Sequence, residues 1–106
     1  ERILAEAELI AVALPVLCEF VWVLRKVYGF GIPDIAKAMR ALLDIAKIET
    51  NRPAAEAGLA LLDAGGDFAD GVIAYEGGWL GADSFVSFDK KAVALLQSLG
   101  ISSRLL

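Results

Sequence analysis

The 106-residue sequence predicts an α/β domain with a mostly parallel sheet. Three observations carry that prediction. Leu9-Ile10-Ala11-Val12-Ala13-Leu14 is apolar at every position rather than at alternate ones, the pattern of a strand covered on both faces. Ile32, Ile35, Ala36, Met39, Leu42, Leu43 and Ala46 recur at i, i+3 and i+4, the mark of an amphipathic helix. The elements run in the order strand, helix, helix, strand, helix, helix, strand, helix, strand, and helical crossovers between strands favour parallel pairing. No repeat, linker or low-complexity stretch divides residues 1–106, so they read as one domain with one core.

Taken in order, Glu1 to Glu8 has the composition of the last two turns of a helix. The strand at 9–14 comes next. Pro15 then opens a helix at a position proline tolerates, and Arg25 and Lys26 suit its last turn before Tyr28-Gly29. Gly29-Phe30-Gly31 is a turn. The amphipathic helix runs from Pro33 to about Lys47, and Ile48-Glu49-Thr50-Asn51 is a short edge strand. Pro53 opens a helix that stops at Gly65-Gly66, and Asp67 is the N-cap of another reaching about Glu76. Gly77 to Asp83 is a connection and Ser84 to Phe88 a strand. Lys90 to Leu99 is a helix capped by Gly100, and Ile101 to Leu106 is a last strand.

Composition excludes several chemistries. There is no histidine, so Ser-His and Cys-His catalysis and histidine metal sites are absent. The lone Cys18 precludes an internal disulfide and suits a reducing, cytoplasmic setting. A net charge of −4 argues against a general basic surface for nucleic acid. There is no P-loop and no Gly-x-Gly-x-x-Gly. The apolar run from Leu9 to Leu24 is interrupted by Pro15 and Glu19 and is short for a bilayer, so no membrane role is expected. Hydrophobic residues make up 58% of the chain. That is high for an isolated soluble domain and implies a surface covered by another chain, or a domain lacking a part.

What remains is carboxylate chemistry. Glu19 lies in Pro15-Val16-Leu17-Cys18-Glu19-Phe20-Val21-Trp22-Val23-Leu24, a segment apolar on every helical face and so expected to be buried. A buried carboxylate needs a partner, a proton or a metal. Asp70 is set in Phe68-Ala69-Asp70-Gly71-Val72-Ile73-Ala74, with Asp67 on the same helix face. Asp89 comes directly after the strand Ser84-Phe85-Val86-Ser87-Phe88, at the edge where parallel α/β sheets place ligands. Each acid also has a plain structural reading: Asp67 and Asp89 as helix caps, Asp70 as half of an ion pair. Lys90 and Lys91 read as a solvated face that adjoins Asp89. Converging carboxylates without histidine or thiolate point to a hard cation with oxygen ligands, Mg²⁺ or Mn²⁺, and from there to phosphodiester hydrolysis.

The segments around Glu19, Asp67-Phe68-Ala69-Asp70-Gly71 and Phe85-Val86-Ser87-Phe88-Asp89 together resemble the PIN domain, in particular the VapC-type toxins of toxin–antitoxin pairs. The resemblance spans the chain and implies a three-layer fold with a mostly parallel sheet. Glu19, Asp70 and Asp89 match the second, third and fourth acids of the family. Asp67 is a companion metal ligand, and Ser87 takes the place of the small hydroxyl residue. It implies a Mg²⁺- or Mn²⁺-dependent ribonuclease, homodimers, and a cognate antitoxin that blocks the RNA site. The family's opening strand, which is central to its sheet and carries the first acid, has no counterpart before Glu1. The resemblance therefore leads to the expectation of an N-terminally shortened chain, weakly active or inactive, with its gap filled by dimer rearrangement or strand exchange. A non-catalytic module that dimerises and captures an antitoxin is the alternative. A receiver-like signalling domain also clusters acids at a sheet rim, but Asp89-Lys90 has the wrong spacing for its aspartate and lysine.

Overall fold

A computed structural model describes residues 9–81 and 83–106, in a mixed α/β arrangement of five helices and four short strands. The helix expected over Glu1 to Glu8 lies outside the described residues. The chain packs as two units, Glu1–Arg52 and Pro53–Leu106.

In the first unit, β1 (Ile10–Ala11) leads into α1 (Leu14–Lys26), α2 (Ile32–Leu43) and β2 (Ile48–Glu49). β1 and β2 pair in parallel, Ile10 opposite Ile48. Pro15 stands in the first turn of α1, where its missing N–H costs nothing. α1 packs against α2, burying Leu17 and Val21 from α1 and Ile35, Ala36, Met39 and Leu43 from α2.

In the second unit, α3 (Arg52–Asp63, starting at the unit boundary) and α4 (Phe68–Trp79) precede β3 (Phe85–Ser87), α5 (Lys90–Ser98) and β4 (Ser103–Leu105). β3 and β4 are parallel, Phe85 opposite Ser103, with α5 as the crossover packed on both. α3 ends in a Schellman turn, Gly66 N–H to the Leu61 carbonyl at 2.8 Å and Gly65 N–H to that of Leu62 at 2.9 Å. α5 ends the same way: Ile101 bonds back to Leu96 at 2.9 Å and Gly100 to Gln97 at 3.0 Å. The core here is Leu59, Leu61, Leu62, Phe68, Val72, Val93 and Leu96.

α3 and α4 cross where neither can carry a side chain. A Cβ on Gly71 would stand 2.5 Å from the Ala57 carbonyl oxygen and 2.8 Å from the Gly58 Cα, and one on Gly58 would stand 2.7 Å from the Phe68 ring. That backbone contact fixes the first turn of α4, and with it Asp70.

Three expectations are revised. The strands pair in parallel as predicted, but as two two-stranded sheets rather than one. α4 runs through Gly77 and Gly78 to Trp79, since both glycines keep ordinary helical backbone and the break waits for Gly81 at φ +90. The segment around Glu19 is not buried on all sides: Val16 and Trp22 are each 57% exposed.

Candidate functional site

The second unit brings together three of the acids singled out by sequence. Asp67 is the N-cap of α4 and accepts a hydrogen bond from the Ala69 N–H at 3.1 Å. Asp89 is the N-cap of α5, its Oδ1 accepting from the N–H groups of Lys91 at 2.9 Å and Ala92 at 3.2 Å. The cap readings of both are therefore correct. Ser87, at the end of β3, accepts the Asp89 N–H on its hydroxyl at 3.0 Å, which sets the direction in which the chain leaves the strand. Asp67 and Asp89 are exposed, as are Lys90 and Lys91.

Asp70 lies in the first turn of α4, half-buried beside the Gly58–Gly71 crossing. Its carboxyl is held above the ordinary value of 3.8, first by desolvation, then by the charge of Asp67 and then by that of Asp89. Among the described residues, no neighbouring cation lowers it. Two segments almost twenty residues apart thus deliver negative charge to one half-buried carboxylate.

Glu19 behaves differently. It sits on α1 of the first unit, and it is exposed. At about 100° per residue, position 19 points away from the buried stripe of Leu17 and Val21. The premise of a carboxylate buried in an apolar helix is thereby overturned. Glu19 needs no counter-charge to sit where it does.

All the donors in the Asp67, Asp70 and Asp89 group are carboxylate oxygens, which is hard-cation chemistry, and their repulsion is what a cation would relieve. Among the described residues, however, no three acidic side chains stand close enough together to hold a metal ion directly. Any Mg²⁺ held there would have to be a hydrated ion engaged by one or two carboxylates, not the occupant of a closed protein cage.

Two grooves of the second unit lie elsewhere. One of about 270 Å³ is lined by Ile73, Gly77, Asp83, Phe85 and Ser102, and an apolar one of about 410 Å³ by Ala57, Tyr75, Trp79 and Ile101. Neither touches Asp70 or Asp89. The sequence reading missed the Gly58–Gly71 crossing; the available signal was glycine immediately after Asp70 and glycine inside an alanine-rich helix. Comparison with known proteins adds no name: no family model, curated protein or solved structure matches the chain.

Proposed function

We propose that the chain is a PIN-like, VapC-type ribonuclease, the toxin of a toxin–antitoxin pair, using a hydrated Mg²⁺ or Mn²⁺ engaged by one or two of Asp67, Asp70 and Asp89. The observation that carries this reading is Asp70: half-buried, in the first turn of α4, and raised by desolvation and by two neighbouring carboxylates. When bound, such a cation orients a phosphate oxygen and makes an attacking water more acidic. The chain's own parts are simpler. Asp89 and Asp67 each commit one oxygen to a helix cap, which holds the carboxylates in place. Ser87 positions Asp89 through its backbone N–H. Lys90 and Lys91, exposed at the start of α5, offer charge to an RNA backbone.

A second reading is favoured by different observations. Trp79 and Leu80 are 81% and 83% exposed, which suits a non-catalytic module that dimerises and captures an antitoxin. Calorimetric titration with Mn²⁺ and cleavage of unstructured RNA in Mn²⁺ separate the two. The ribonuclease reading, which carries the expectation of weak activity, predicts a weak but saturable Mn²⁺ site and at most slow Mn²⁺-dependent cutting, both lost in Asp70→Asn. A chain that binds no Mn²⁺ and cuts no RNA leaves only the binding module.

A further inference from the structure

We infer that the two grooves of the second unit form one binding site for a small amphipathic amine, its ammonium head at Asp83, Ser84 and Ser102 and its apolar tail toward Trp79. Ala74, Gly78 and Ile101 line both grooves, so the two are adjoining ends of one depression between α4 and the starts of β3 and β4. At about 270 Å³ and about 410 Å³, the ends have the volume of a small-molecule site.

The chemistry changes from one end to the other. The smaller end is lined by the Asp83 carboxylate and the Ser84 and Ser102 side chains. Ser102 Oγ donates to Ser84 Oγ at 3.3 Å, and Phe85 N–H donates to the Ser102 carbonyl at 2.9 Å, which together tie the start of β3 to that of β4. Having donated its proton, Ser102 Oγ keeps its acceptor capacity for a ligand. Among the described residues, Asp83 is the one charged side chain lining either groove, and no cation pairs with it. An ammonium group brings a positive charge and three N–H donors, the complement of a carboxylate beside two hydroxyls. An anion would be repelled there, and a hard divalent cation would find a single carboxylate. The larger end presents Tyr75, Trp79 and Ile101 and no charge, which suits a hydrocarbon tail. Gly78 makes the passage between them. A Cβ on it would meet nothing within 4 Å, so the space where head and tail join is open. This site is separate from the Asp70 group, since neither groove touches Asp70 or Asp89, and it does not depend on the ribonuclease reading.

The test is calorimetric titration of the full chain with n-octylammonium chloride, kept below micelle-forming concentration. Octanoate, 1-octanol and Nα-acetyl-lysine amide are titrated beside it. The first has the wrong charge, the second has none, and the third carries the same head as a peptide would, without the long tail. Octylammonium is expected to bind saturably, about tenfold or more tighter than each of the three. Asp83→Asn should weaken it by about tenfold and leave the circular dichroism unchanged. Gly78→Leu should abolish binding. It puts a good helix former where no atom is in the way, so the fold should be kept. Absence of saturable binding, equal binding of octanoate, octanol or the lysine derivative, or binding unchanged in either variant overturns the proposal.

Discussion

Glu19 and Asp70 look alike in the sequence and differ in the structure. Both are single acids among apolar residues near the start of a helix. Asp70 is drawn inward because the next residue, Gly71, is pressed against the backbone of α3 at Ala57 and Gly58. Glu19 faces outward because only the Leu17 and Val21 stripe of α1 is packed. The lesson is that apolar neighbours in sequence do not bury a carboxylate. A close tertiary crossing does, and the residues that permit it are small ones that carry no chemistry.

The most severe way to break the comparison is at that crossing. Gly71→Ala forces a methyl group into the Ala57 carbonyl, where backbone and not a pliable side chain must yield. A loss of about 1–3 kcal/mol in urea unfolding is expected. Gly78→Ala, in the same helix with nothing within 4 Å of its Cβ, should instead stabilise by about 0.5–1 kcal/mol. Equal effects at the two glycines would mean that the crossing does not hold α4, and the account of Asp70's burial would fall with it.

A smaller effect sharpens the contrast between the two acids. Asp70 has a folded-state pKa above its unfolded value, so the folded chain binds the extra proton between the two. Its contribution to stability is therefore full below the ordinary value of 3.8 and lost as pH rises through the raised one. At pH 7, Asp70→Asn should be more stable than the wild type, by no more than a few tenths of a kcal/mol because the half-buried carboxylate is still screened by solvent. The advantage should vanish as the pH falls below about 4. A stabilisation by Asp70→Asn that persists unchanged in acid would assign its origin to something other than charge.

Much of the local structure is legible in the sequence because short-range chemistry determines it. Asp67 and Asp89 are read as caps from the helix-forming residues after them, Gly100 as a helix stop, and Pro15 as a helix start, and all four occupy those roles. The end of α4 is misjudged because glycine lowers helix stability without forbidding it, and Gly77 and Gly78 stay helical. The sheet arrangement is not legible. Apolar runs announce strands, but their pairing depends on contacts distant in sequence, and β1 with β2 and β3 with β4 form separate ladders. Among the candidate site residues, Asp67, Asp70 and Asp89 sit in one unit and affect one carboxylate. Glu19 was inferred from a buried helix that is exposed on that side. No described helix is long and apolar enough to cross a membrane, in line with the interruption of the apolar run by Pro15 and Glu19.

The proposed function rests on the electrostatic coupling of Asp70 to Asp67 and Asp89. Carbon-detected NMR titration of the Asp70 carboxyl tests it most directly, in the wild type, in Asp89→Asn, and in the wild type with added Mg²⁺. The account predicts a wild-type pKa above 3.8 that moves down in Asp89→Asn and down again with Mg²⁺, proton release accompanying binding. An ordinary pKa that neither the substitution nor Mg²⁺ alters would contradict it.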